Sequence, residues 1–65
     1  MTGEEYKKAR ERLGLSQAEL GRELGRHQTL IGKREREEKP ISTEAEMAIK
    51  YLELFRTLGA TRGSV

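Results

Sequence analysis

The sequence predicts a compact, all-α domain of four to five helices, the last of them long. The chain has 65 residues, enough for a single domain, which we place over residues 1–59 with a flexible tail over 60–65. Apolar residues recur at steps of three and four, as on one face of a helix, and show no strand-like alternation. Three Ser or Thr residues also stand three positions before a glutamate, which is a signature of helix starts.

Composition argues against several function classes. Hydrophobic residues make up 34% of the chain and charged residues 37%, which fits a small folded domain with a highly charged surface. The absence of cysteine excludes disulfide bonds and thiolate metal sites. No apolar run approaches the ~18 residues that can span a membrane, and Met1–Arg12 is charged rather than signal-like. We therefore expect a cytoplasmic protein that makes no membrane contact.

Potential capping boxes mark three helix starts. In such a box, the hydroxyl and the glutamate carboxylate each accept a hydrogen bond from the other residue's backbone N–H. The pairs are Thr2 with Glu5, Ser16 with Glu19, and Thr43 with Glu46.

Glycine and proline mark where the helices end. A first helix ends at Gly14 and a second runs to about Leu24, where Gly25 permits a sharp left-handed turn. A short third helix begins near His27 and ends near Arg36, before Pro40. The last helix is predicted over residues 43–58, with Gly59 as its stop.

The second and third helices form a predicted helix-turn-helix over residues 17–36. The short connection forces the two helices to cross steeply. Gly21 is expected to face the point where the helices cross, because a small residue there lets the two backbones approach. The apolar residues expected to pack between the two helices are Leu20, Leu24 and Ile31.

The motif resembles a known family of DNA-binding proteins. The run Leu-Gly-Leu-Ser-Gln-Ala-Glu-Leu from Leu13 to Leu20 is similar to that of phage repressor and Cro-like helix-turn-helix proteins, also called the xenobiotic response element type. The resemblance covers residues 4–41. It extends through Leu24, Gly25, Ile31, Glu35 and Pro40.

The resemblance implies a lambda-repressor-like domain that binds double-stranded DNA. It implies that Gln17 contacts a phosphate and that the start of the third helix enters the major groove. It also implies a structural ion pair between Arg10 and Glu35, which would orient the third helix.

The third helix has a polar side that can read bases. At about 100° per residue, Ile31 and Arg34 share one side, whereas Thr29, Gly32, Lys33 and Arg36 share the other, with Gln28 at its leading edge. Gln28 can pair with adenine, Lys33 can reach guanine, Thr29 can use its methyl or hydroxyl group, and Gly32 permits close approach. The expected base-reading residues are thus Gln28, Thr29, Gly32 and Lys33. The expected phosphate contacts are Gln17, Arg22, Arg26, His27, Arg36 and Lys39.

Four residues depart from the family's usual pattern. Arg26 and Arg34 stand where apolar residues are usual, His27 replaces a small hydroxyl cap, and Glu37 replaces a glycine after the third helix.

The last helix carries two apolar stripes, one more than the core of a small monomer needs. One stripe comprises Ala45, Ala48, Leu52 and Phe55. The other comprises Met47, Tyr51, Leu54 and Leu58, which we assign to a dimer or partner surface. A two-fold homodimer would place two recognition helices ~34 Å apart on a pseudo-palindrome.

The leading function is a small phage or bacterial transcriptional repressor that occupies an operator as a dimer. The alternative is an antitoxin or adaptor whose last helix binds a partner protein, with DNA binding secondary. An enzyme is disfavoured, because the sequence has no nucleophile constellation and only one histidine. We expect no cofactor, no metal and no small-molecule ligand, since the length leaves no evident ligand-sensing domain.

Overall fold

Residues 1–63 fold into four α-helices connected by short turns. The computed structural model describes the backbone of residues 1–63 and the side chains of residues 1–56. The helices are α1 (Gly3–Arg12), α2 (Gln17–Leu24), α3 (Gln28–Glu35) and α4 (Thr43–Gly63). Residues 1–63 contain no strand, so the predicted all-α fold class is confirmed.

Two of the three predicted capping boxes form. The Thr2 hydroxyl accepts a hydrogen bond from the Glu5 backbone (3.1 Å), and Glu5 accepts one from the Thr2 backbone (2.7 Å). Ser16 and Glu19 make the same exchange at 3.1 and 2.8 Å. The backbone N–H groups of Thr2 and Ser16 stabilise the carboxylate forms and lower the pKa of Glu5 and of Glu19.

The third predicted capping box is wrong, because the cap of α4 lies one residue earlier. The Ser42 hydroxyl accepts from the backbone N–H of Ala45 at 3.1 Å. Glu46 is therefore too far along the helix to close a box with Thr43. It accepts instead from Lys50 (2.9 Å) and from the amino group of Met1 (3.3 Å), and these two contacts lower the pKa of its carboxyl group.

The first three helices all end with a left-handed residue. Gly14 after α1 and Gly25 after α2 have φ values of 71° and 68°. After α3 the same position is Glu37, with φ 60°. The backbone N–H of Glu37 donates to Arg34 at 3.1 Å and that of Glu38 to Lys33 at 2.8 Å, which is the hydrogen-bond pattern of a Schellman motif.

Replacing Glu37 by Gly is expected to stabilise the protein by about 0.5–1 kcal/mol. A side chain in the left-handed region costs ~1–2 kcal/mol, of which part is offset by the greater freedom of glycine in the unfolded chain. Urea denaturation followed by circular dichroism measures the change. Glu37→Ala is the control, since it removes the same charge but keeps Cβ; an equal gain in this variant would contradict the backbone explanation.

The core lies where side chains of all four helices meet. Its fully buried side chains are Tyr6, Ala9, Leu20, Ile31 and Ile49. Leu13 is also buried, and five further apolar side chains pack against the cluster: Met1, Leu15, Leu24, Ile41 and Leu52. The core thus draws on all four helices.

The core stripe of α4 differs from the predicted one. Ala45 and Ile49 are buried and Leu52 is half-buried, whereas Phe55 is 54% exposed. At about 100° per residue Phe55 lies only ~40° from Tyr51 around the helix, and the two rings stack at 6.2 Å. Phe55 therefore belongs to the exposed stripe, and Ile49 takes its place in the core.

Helix α4 is longer than predicted and is tied to the end of α1. Its backbone continues to Gly63, since a single glycine such as Gly59 costs a helix only ~1 kcal/mol. Arg56 donates to the carbonyl oxygen of Leu13 at 2.8 Å. The side chain of Leu58, and the predicted tail beyond the helix, lie outside the described residues.

None of the helices in residues 1–63 is both long enough and apolar enough to cross a membrane.

Candidate nucleic-acid interface

The turn between α2 and α3 depends on close backbone contact at Gly21. A Cβ atom placed there would lie 2.5 Å from the carbonyl oxygen of Arg26 and 3.2 Å from the backbone nitrogen of Gln28. Gly21 is buried, so the start of α3 is seated directly on α2. The left-handed Gly25 between them reverses the chain.

A nearly buried ion pair fixes α3 to α1. Arg10 Nε donates to Glu35 Oε2 at 2.6 Å, and Arg10 Nη2 donates to Glu35 Oε1 at 3.2 Å. Their side chains are only 13% and 6% exposed. The hydrogen bonds that Arg10 donates to Glu35 raise the pKa of Arg10. A bidentate pair of this kind constrains orientation as well as distance.

Gln17 and Leu15 extend this ion pair into a network that reaches α2. Gln17 Nε2 donates to Glu35 Oε1 at 3.1 Å, and Arg10 Nη1 donates to the carbonyl oxygen of Leu15 at 2.9 Å. Glu35 thus receives hydrogen bonds from α1 and from α2. The orientation of α3 is set by both neighbours.

A contact that the sequence analysis did not predict joins the other side of α3 to α1. Arg34 Nη1 donates to the Tyr6 hydroxyl at 3.0 Å, and the guanidinium lies 5.7 Å from the centre of the Tyr6 ring. The only sequence signal was that Arg34 shares a helix side with the buried Ile31. The structure thereby explains how a charged residue occupies a core-facing position.

His27 caps α3 through its imidazole ring. Its Nδ1 accepts from the backbone N–H of Thr29 at 3.0 Å, so in the neutral ring the proton is on Nε2. The imidazole ring thus accepts the N-cap hydrogen bond that a hydroxyl group usually accepts at this position. It is exposed, and its Nε2–H is available as a donor beside the start of α3.

The expected base-reading residues do not share one environment. Gln28 and Thr29 are exposed in the first turn of α3, and Lys33 is half-buried one turn later. Gly32 is buried: a Cβ there would lie 3.2 Å from Arg36 Nη1 and 3.3 Å from Gln17 Oε1. These side chains cover Gly32, whereas Gln28 and Thr29 stand free to reach a ligand.

The expected phosphate-binding residues lie in three places. Gln17 donates through Nε2 to Glu35. Arg22, Arg26 and His27, together with Gln28, surround a shallow depression over Ala18 at the start of α3. Arg36 and Lys39 lie after α3 and are exposed. Arg36 Nε donates to Glu38 Oε2 at 2.7 Å, and this hydrogen bond raises the pKa of Arg36. Glu38 therefore competes with any phosphate for Arg36.

A family comparison identifies this arrangement. A helix-turn-helix family model matches residues 7–58, which include α2, the turn and α3 in full. The chain belongs to the phage repressor and Cro-like helix-turn-helix family. Membership indicates a DNA-binding transcriptional regulator whose partner is double-stranded DNA. No curated protein and no solved structure matches the chain.

This helix-turn-helix domain leaves an apolar surface uncovered on α4. We call it the α4 face; its described members are Met47, Tyr51, Leu54 and Phe55. Each of these side chains is more than half exposed, between 54% and 65%. Leu58, the fourth predicted member, has a side chain outside the described residues.

Among the described residues, no group of three or more His, Asp or Glu side chains could hold a metal ion.

Proposed function

We propose that this protein is a sequence-specific repressor that binds a pseudo-palindromic operator as a homodimer, with α3 in the major groove of each half-site. The main support for this proposal is the start of α3, where Gln28 and Thr29 are polar and exposed to solvent. Their helix is held in place by the network of Arg10, Glu35 and Gln17. A rigid helix with free polar side chains at its amino end suits base reading.

Gln28 is the strongest candidate for base recognition. Its amide NH2 can donate to adenine N7 while its amide oxygen accepts from the adenine N6–H2 group, which are the acceptor and donor that adenine shows in the major groove. Thr29, beside it, can contact a thymine methyl group, and Lys33 can reach guanine. Gly32 lies beneath Gln17 and Arg36, so its proposed contribution is close packing rather than an open approach to a base.

Phosphate contacts would fix the domain on the duplex. Arg22, Arg26 and the Nε2–H of His27 surround the depression at the amino end of α3, where the helix dipole also favours an anion. Arg36 and Lys39 lie at the other end of α3. The ion pair between Arg36 and Glu38 must break before Arg36 can bind a phosphate.

Base-reading and phosphate-binding residues should respond differently to substitution. Gln28→Ala should lose about 1–3 kcal/mol at the preferred site and relax its specificity at one base pair. Arg22→Ala should weaken binding to all duplexes alike and reduce the salt slope by about 1. Fluorescence anisotropy with labelled duplexes at several salt concentrations measures both. Equal losses of Gln28→Ala on preferred and random duplexes would argue against base reading.

The α4 face is the proposed dimer surface. Four large apolar side chains exposed together on so small a domain favour a partner that covers them. A second copy of the chain supplies an identical apolar face, and the two-fold axis so produced would pair two recognition helices on one duplex.

Tyr51→Glu is expected to convert the dimer into a monomer, because a carboxylate would have to be buried in an apolar contact. Sedimentation equilibrium measures the mass, and binding to a two-half-site duplex should fall by at least about tenfold. Lys7→Glu, at an exposed position of α1, is the matched control and should leave the mass unchanged. A wild-type protein that stays monomeric with and without DNA would favour the adaptor function, in which the α4 face binds another protein.

A further inference from the structure

A cavity of about 190 Å³ lies where the end of α2, the end of α3 and the start of α4 meet. One buried water needs only ~10–15 Å³, so this space can hold a small molecule. It is lined by Leu24, Arg26, Arg34, Ser42, Glu44, Ala45 and Ala48.

Both arginines of this cavity lack an acidic partner. Within the described residues, neither Arg26 nor Arg34 takes part in an ion pair. Arg34 is held by the Tyr6 hydroxyl and ring, and its Nε–H is shielded from solvent and from the cavity. Two guanidiniums that form no ion pair at one cavity make a site for an oxyanion.

Ser42 and Glu44 give the cavity a more specific chemistry. The Ser42 hydroxyl accepts from Ala45, so its O–H remains available to donate to a ligand. Glu44 can only accept hydrogen bonds when ionised, and an anion without a proton offers it no hydrogen bond to offset the repulsion between the two negative charges. An anion that carries its own O–H would satisfy both arginines and Glu44.

We propose that this cavity binds hydrogen phosphate between Arg26 and Arg34, with the phosphate O–H donated to Glu44. Sulfate has the same shape but no proton at neutral pH, so Glu44 discriminates against it. The phosphodiesters of DNA likewise carry no proton. The site is therefore distinct in chemistry from a DNA-backbone contact.

Arg26 connects this cavity to the interface, since it also lines the depression at the start of α3. Phosphate in the cavity competes with a DNA phosphate for the same guanidinium. Bound phosphate should therefore weaken operator binding by about fivefold or more, and this consequence rests on the proposed function.

The site is tested without DNA by NMR titration of the whole ¹⁵N-labelled chain with phosphate or sulfate at constant ionic strength and pH 7. Phosphate should produce saturating shifts at the amides of Arg34, Ser42, Glu44 and Ala45, with sulfate at least about tenfold weaker. Arg34→Ala should abolish saturation, whereas Arg22→Ala, a control at the DNA-facing depression, should not.

Glu44→Gln gives the deciding readout, because Glu44 is exposed and its replacement leaves the core intact. This variant should lose the preference for phosphate over sulfate. Equal binding of both ions by the wild-type chain, or an unchanged preference in Glu44→Gln, would overturn the proposal. A duplex titration in phosphate and in sulfate then tests the coupling; absence of any DNA binding would count against the proposed function and leave the NMR result standing.

Discussion

Glu35→Ala is expected to destabilise the domain by about 3 kcal/mol or more. The substitution leaves Arg10, which is 13% exposed, without its carboxylate partner, and removing one member of a buried pair costs ~3–5 kcal/mol. Gln17 loses its acceptor as well. A 65-residue domain has a total stability of roughly 3–10 kcal/mol, so much of this variant should be unfolded at 37 °C. Urea denaturation at pH 7 measures the loss.

The matched control is Glu4→Ala, which breaks an exposed pair. Lys8 Nζ lies 3.5 Å from Glu4 Oε1, and the two side chains are 62% and 76% exposed. Breaking this pair should lower the free energy of unfolding by at most about 0.5 kcal/mol. The double variant Arg10→Met and Glu35→Leu should lose less than Glu35→Ala, since it leaves no buried charge. A Glu35→Ala protein as stable as the Glu4→Ala control would show that the ion pair does not hold α3.

Gly21→Ala is expected to cost about 2 kcal/mol or more, despite the ~1 kcal/mol that alanine gains in a helix. The new Cβ would lie 2.5 Å from the backbone oxygen of Arg26, which cannot move without shifting the start of α3. The thermal midpoint and the free energy of unfolding should both fall. DNA affinity should fall further than stability alone explains, because α3 is displaced relative to α2.

Gly32→Ala is the control for Gly21→Ala, because both glycines are helical and buried. A Cβ at Gly32 would meet only side-chain atoms of Arg36 and Gln17, at 3.2 Å or more. Those flexible groups can move, so stability should change by less than about 1 kcal/mol. Equal losses in the two variants would show that the backbone contact at Gly21 is not limiting.

Local sequence signals predicted the helices better than they predicted the contacts between them. Capping boxes at Thr2 and Ser16 formed as predicted, because all the interacting atoms lie within four residues. The box predicted at Thr43 did not form, since the adjacent Ser42 offers an equivalent hydroxyl. Sequence spacing alone does not choose between two neighbouring caps.

The sequence did not predict the tertiary contacts of several single residues. Phe55 fits the spacing of the core stripe, but in the fold it lies outside that stripe and stacks on Tyr51. In the sequence, Arg34 is a charged residue at a core-facing position with no evident partner. In the fold, its guanidinium donates to the hydroxyl of Tyr6, which lies 28 residues earlier in the chain. Gly32 was expected to permit close approach of DNA, and in the fold the side chains of Gln17 and Arg36 lie against it. Each outcome depends on long-range packing.

Selection of duplexes from a random DNA pool at physiological salt tests whether α3 recognises a specific DNA sequence. Wild-type protein should enrich an inverted repeat with half-sites about one helical turn apart, and Gln28→Ala should relax one position in each half-site. A pool that stays random, with only weak salt-sensitive retention, would contradict sequence-specific recognition by α3.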